Sequence, residues 1–188
     1  VLIAVNPHHH NPTATRLLPH RRRELADIAA EYGIPVLEDR VAAPLAFDGV
    51  VPPPIAVHRP DAPVIVVDSI SKTMWPGLRV GWLRAGPDMV RRTRLAKTID
   101  DQFSPIPTQL LALGLVARLD ELIAARVEQL IGRRDLAISM LADGMPDWKV
   151  RVPDGGLVVT GATAGVGTAS CEAAGMCEGG GTLGWRFG

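Results

Sequence analysis

Three short, uninterrupted apolar runs divide the first part of the chain: "VLIAV" at 1–5, "IPVLE" at 34–38 and "PVIVVD" at 63–68. Runs of this length, bounded by turn formers, predict strands buried on both faces. "RVGWL" at 79–83 predicts a fourth strand. Between the first two, Pro19 suits the first turn of a helix through "HRRRELADIAAEY", with Leu25, Ile28, Ala29 and Tyr32 at helical spacing and Gly33 as its stop. Helical patterns also cover 87–100 and about 105–118. A longer helix runs from Leu119 to Leu141, with Leu119, Ile123, Val127, Leu130, Ile138 and Leu141 on its apolar face. A proline-rich connection spans roughly 44 to 63 and includes "VVPPPIAV", which prolines bar from a central strand. "WKVRV" at 148–152 and "GGLVV" at 155–159 read as strands of a different region. Strand–helix–strand alternation predicts an α/β fold, a mostly parallel sheet with flanking helices.

Composition narrows the classes. Hydrophobic residues make up 47% of the 188, enough to drive folding. Twenty basic residues balance twenty acidic ones, so nothing in the charge points to nucleic acid or an anionic membrane. No apolar run is long enough to span a bilayer. The only cysteines, Cys171 and Cys177, imply no disulfide framework, and a reducing cytoplasm is the expected compartment. The chain starts inside a strand pattern and stops at "GWRFG", so both ends read as cuts through a larger protein. Residues 161–188 differ in kind: nine of the 28 are glycine, without an apolar period.

The chemistry gathers where the first three strands end. Asn11 follows strand one, Asp39 closes strand two, and Ser69, Ser71 and Lys72 follow strand three. Arg79 comes after the Pro76-Gly77 turn. In open α/β sheets ligands collect at that carboxyl edge. A lysine amine forms a Schiff base with an aldehyde, and a carboxylate holds a pyridine nitrogen protonated. Hydroxyls and a guanidinium suit a phosphate, and an amide donates to a phenolic oxygen. Aldehyde, pyridine, phosphate and phenol together describe pyridoxal 5′-phosphate. Each residue also has a plainer reading: Lys72 a solvated charge, Asp39 a turn cap, Asn11 half of a turn pair, Arg79 a surface ion pair.

These motifs carry a family resemblance. "HNPT", with Ala14 in place of a usual glycine, "VLED" and "SISKTMWPGLRVGW" stand in the order and spacing of the fold type I, aspartate-aminotransferase-like class of pyridoxal-phosphate proteins. The resemblance covers about residues 1 to 160. "SKTMWPGLRVGWLRAG" is most similar to MocR-type transcriptional regulators of the GntR superfamily, which join a winged helix-turn-helix to an aminotransferase-like domain.

The resemblance implies Lys72 as the Schiff-base lysine, Asp39 at the ring nitrogen and Asn11 at the phenolic oxygen, the last through a cis Asn11–Pro12 bond. It places Ser69, Ser71 and Arg79 at the phosphate. It implies a partial pyridoxal-phosphate-binding large domain over 1–118, then a linking helix and the start of a small α+β domain over 119–160. It further implies an amino acid or amine as effector or substrate, a homodimer, and DNA contact only through a domain outside this sequence. A working class I/II aminotransferase is the alternative, with Lys72 as general base. Val41 stands where that class commonly has a tyrosine.

Other motifs invite other chemistry. "HHH" at 8–10 lacks carboxylate or cysteine partners at ligand spacing, so no metal site is expected. "RRR" at 21–23, beside Glu24 and Asp27, reads as a solvated helix face, and Trp75 and Trp82 as packing residues. "VVTGATAGVG" at 158–167 resembles the glycine turn of short-chain dehydrogenases, a minor alternative of dinucleotide binding by the tail. The terminal "GWRFG" resembles the "PGSRFG" segment of MocR-type proteins. The residues between fit a divergent or frame-disrupted small domain.

Overall fold

The computed structural model describes residues 1–163 and 166–171. The chain divides into two compact units, each drawn from separated segments. The first comprises Val1–Pro7, Leu17–Val41 and Pro52–Ile123; the second takes His8–Arg16, Ala42–Val51 and the chain from Ala124 onward.

The first unit is built on a four-stranded sheet: β1 (Ile3–Val5), β2 (Val36–Asp39), β3 (Val64–Ser69) and β4 (Gly81–Arg84), in that spatial order. β1, β2 and β3 are parallel, with Ile3 opposite Val36 and Val36 opposite Val64; β4 returns antiparallel, with Asp68 opposite Trp82. The α/β expectation with a mostly parallel sheet therefore holds. One face of the sheet is covered by α1 (Pro19–Tyr32): Ala26 and Ala29 pack with Val36, Val64 and Val66 into a core completed by Ile55. Proline opens α1, and Gly33, with φ of 61°, closes it.

Of the apolar positions at helical spacing on α1, Leu25 and Ala29 pack against the core, while the large Ile28 and Tyr32 do not. Arg22, Ala26 and Ala29 are buried, whereas Ile28 and Tyr32 are exposed. Small alanines let the helix lie close to the sheet. The arginine is the larger surprise, because the "RRR" segment reads as solvated, and its middle residue is 1% exposed. Beyond β4 come α2 (Pro87–Asp100) and α3 (Ile106–Val116). Ala112 and Leu115 of α3 pack with Ile70, Met74, Leu78 and Val80 in a second core.

The helix α4 (Leu119–Gly144) passes from the first unit into the second after Ile123. Its predicted apolar face is inward: Leu130 is buried, and Leu119, Ile123, Val127, Ile138 and Leu141 are partly so. The second unit holds an antiparallel sheet of β5 (Lys149–Arg151), β6 (Val159–Thr163) and β7 (Val166–Cys171). The strand expected at 155–159 begins only at Val159, because Gly155 and Gly156 form a turn, Gly156 with φ of 81°. A helix must follow a dinucleotide-binding glycine turn to present its N-terminus to phosphate. Here β7 follows β6 instead. Ala164, Gly165 and the terminal "GWRFG" lie outside the described residues.

Candidate functional site

The carboxyl edge of the first unit's sheet collects five of the six residues singled out above. Asp39 ends β2 opposite Val67 of β3. Ser69 lies two residues further along β3 on the same face, roughly 6.6 Å on. Lys72 stands in the turn that follows, and Arg79 after the short 3-10 turn Pro76–Leu78. Asp39, Ser69, Ser71 and Lys72 are partly buried, and Arg79 is exposed with φ of 52°.

Local bonds and packing hold this edge in shape. Asp39 Oδ1 accepts the Val41 N–H at 2.9 Å, which orients its carboxylate. Ser69 Oγ accepts the Ser71 N–H at 2.9 Å, while Thr73 Oγ1 and the Met74 N–H both donate to the Ile70 carbonyl. Ile70 and Leu78 are each 1% exposed, so the lysine's turn is pinned by apolar anchors on both sides. Gly81, opposite Ser69, leaves no room for a side chain: a Cβ there would lie 2.9 Å from the Asp68 carbonyl oxygen and 3.3 Å from Ser69 Cβ.

Asp68 points to the other face. Burial raises its carboxyl above the usual carboxylate range, partly offset by the Ser69 N–H it accepts and by the charge of Arg40.

Beneath the edge lies a polar arrangement that sequence patterning does not reveal. Glu38, wholly buried, sits 3.3 Å from Arg40 Nη1 and 3.7 Å from Arg22 Nη1, and accepts the Ile55 N–H at 2.8 Å. Arg22 also donates to the carbonyls of Pro7 and Leu17, and Arg40 to that of Pro52. One buried carboxylate thus ties together the exit of β1, the entry to α1, the end of β2 and the turn at Ile55–Val57. A second feature missed at sequence level is Asn6, directly after β1, whose Oδ1 is buried and accepts no hydrogen bond. The available signal was its position as the first polar residue past an apolar run.

Asn11 belongs to the second unit and is exposed there. The Asn11–Pro12 bond is cis, as the resemblance implies. Its loop is firmly held: the His10 N–H donates to Thr15 O, the Ala14 N–H to His10 O, and Thr160 Oγ1 to the Pro12 carbonyl. Ala14, at φ of 52°, occupies the backbone conformation that explains a glycine at that place in the motif. His9 packs against Gly155 and Gly156 and lies 3.5 Å from Asp154. Burial first, then the Arg16 guanidinium, lowers its pKa to about 4 against the opposing pull of Asp154. Arg16 clamps Asp48 at 2.7 Å and Asp154 at 2.8 Å, which holds the Asp48 carboxyl below its ordinary range. Among the described residues no three His, Cys, Asp or Glu side chains gather as metal ligands. Trp75 and Trp82 are largely exposed rather than packed.

Comparison with known proteins places these features in a lineage. The family model described as aminotransferase class I and II matches residues 1–172. The chain is 31% identical over 156 residues to aromatic-amino-acid aminotransferase 1 of Thermococcus litoralis, covering 81% of this chain and 37% of that protein. It is 29% identical over 163 residues to the uncharacterized HTH-type transcriptional regulator YdfD of Bacillus subtilis, covering 84% and 33%. Among solved structures, the multiple substrate aminotransferase of Thermococcus profundus superposes with a TM-score of 0.78 at 30% identity, over 87% of this chain and 41% of that one. The chain therefore spans only about a third to two-fifths of the length of these relatives.

Proposed function

Because the chain belongs to the class I and II aminotransferase family, we propose that it holds pyridoxal 5′-phosphate on Lys72 as the effector-sensing domain of a MocR-type transcriptional regulator. Pyridoxal 5′-phosphate is the cofactor of this family. The observation that carries the reading is the build of the Lys72 turn: a lysine at the end of a parallel strand, anchored by Ile70 and Leu78, one strand over from an oriented carboxylate.

The residues present fit the group. Bound there, the cofactor supplies an aldehyde for a lysine amine and a ring that accepts electrons. Asp39, already oriented by Val41 N–H, holds the proton at the ring nitrogen. Ser69, Ser71 and Arg79 receive the phosphate, the guanidinium in fork geometry. Asn11 donates to the phenolic oxygen, a role taken from the resemblance.

The regulator reading is supported by the similarity to YdfD over 84% of the chain. Its ligand is an amino acid or amine that competes with Lys72 for the cofactor's aldehyde, and its DNA contact lies in a winged helix-turn-helix outside these residues. The protein acts as a homodimer in the cytoplasm. No described helix is long and apolar enough to cross a membrane.

A second reading, a class I/II aminotransferase, is favoured by the 31% identity to the Thermococcus enzyme. In it Lys72 moves the substrate's α-proton as general base. Val41, in place of a tyrosine, removes a partner for the ring oxygen and favours sensing.

The test uses the full-length protein. The visible absorption of the lysine-bound cofactor is expected to vanish in Lys72→Ala; a band that survives overturns the assignment. An amino compound that changes DNA affinity without turnover marks the regulator. Steady conversion of a 2-oxo acid to an amino acid marks the enzyme.

A further inference from the structure

We infer that Asn6 is a positioning residue for Asp39: its carboxamide donates to the Asp39 carboxylate and keeps it aimed. The inference rests on the cofactor reading above, and both residues belong to the first unit.

The register brings them together. β1 and β2 run parallel with Val5 opposite Glu38 as their last pair, and continuing that register one residue beyond β1 sets Asn6 beside Asp39. Side chains opposite each other on neighbouring parallel strands leave the same face, with backbones about 4.8 Å apart. The rest of that row is apolar, with Val67 on β3 and Leu83 on β4. Asn6 is thus the polar neighbour of the carboxylate within its row.

The chemistry of the pair is unequal. Asp39 Oδ1 accepts the Val41 N–H. Asn6 Oδ1 is buried and accepts nothing. An amide oxygen beside a carboxylate meets another acceptor, which is unfavourable. A half-turn about the terminal torsion exchanges oxygen for NH2, and that torsion is broad and roughly two-fold. The carboxylate then accepts from Val41 N–H and Asn6 Nδ2–H, and its remaining lone pairs stay available to a ring N–H. A charge-assisted hydrogen bond of this kind fixes the carboxylate's orientation toward the ring nitrogen.

The experiment measures the dissociation constant for pyridoxal 5′-phosphate in four full-length proteins: wild type, Asn6→Ala, Asp39→Ala and the double variant. Asn6→Ala is expected to weaken binding roughly tenfold or more, the effect of losing a hydrogen bond to a charged group. In the Asp39→Ala background the same change is expected to do nothing, because Asn6 acts through Asp39. An equal loss in both backgrounds, or no loss in either, overturns the inference. Asn6→Asp keeps the shape, removes the donor and adds a like charge, so it is expected to weaken binding at least as much as alanine. Thermal melting identifies any variant that fails to fold, and Asn6→Asp then decides in place of Asn6→Ala. Wild-type protein without the visible band, or Lys72→Ala that retains it, overturns the cofactor reading itself. A normal band without Asn6–Asp39 coupling overturns this inference alone.

Discussion

Glu38 and Asp39 are neighbours in sequence and opposites in setting, because successive side chains of a strand leave opposite faces. Glu38 is sealed under α1 between two arginines; Asp39 is partly open at the sheet edge. Removing one member of a buried ion group strands the others without compensation. Glu38→Ala is therefore expected to cost about 3–5 kcal/mol in urea unfolding; a loss below about 1 kcal/mol would mean that Arg22 and Arg40 reach water in the variant. His9 offers a second test. Its pKa falls from 6.5 to about 4 on folding, so the unfolded chain binds more protons between those values. Stability attributable to a neutral His9 is complete above pH 6.5 and is lost progressively down to about pH 4. The melting temperature of wild type is expected to fall across that window relative to His9→Gln, and parallel curves would contradict it. At this scale the sequence exposed Asp39 and Lys72, because strand ends are visible in an apolar pattern. It hid the Arg22–Glu38–Arg40 group, because Arg22 sits in a charged stretch whose distinguishing partner lies on another element.

Among elements, the four strands of the first sheet and the four α-helices of the described residues were legible to within a few residues, since each carries its own period or run. Two readings failed where tertiary contact overrode local pattern. The buried stripe of α1 follows its alanines and Arg22 rather than Ile28 and Tyr32. The start of β6 is delayed by the Gly155–Gly156 turn, whose backbone lies directly against the His9 ring and the Leu45 carbonyl. A Cβ at Gly155 would sit 2.1 Å from His9 Cε1 and 2.5 Å from Leu45 O, and the second of these is backbone with little freedom to yield. Gly155→Ala is accordingly expected to destabilise the protein by about 1–3 kcal/mol. An unchanged denaturation midpoint would show that the turn can open.

For the whole molecule, the family was readable because three motifs stand in order along one chain. The composition of the second unit was not, since its parts meet only in space. Asp48, Asp154 and Arg16 are far apart in sequence and joined by one guanidinium. The β6–β7 pairing also bears on the dinucleotide alternative. Without a helix after the glycine turn, isothermal titration with NAD(P) is expected to show no saturable binding, in wild type and Gly161→Val alike. Saturable binding lost in Gly161→Val would revive that alternative.

The scattered make-up of the second unit has a consequence for synthesis. The loops at 8–16 and 42–51 share the Arg16–Asp48 pair, but their third partner, Asp154 with its flanking turn, is made only about a hundred residues after the second loop. At about 5–20 residues per second, that interval is roughly 5–20 s. During it the segment carrying Asn11 has no Thr160 hydroxyl or Asp154 carboxylate to close on, so the loop assigned to the cofactor is among the last parts of the nascent chain to take shape.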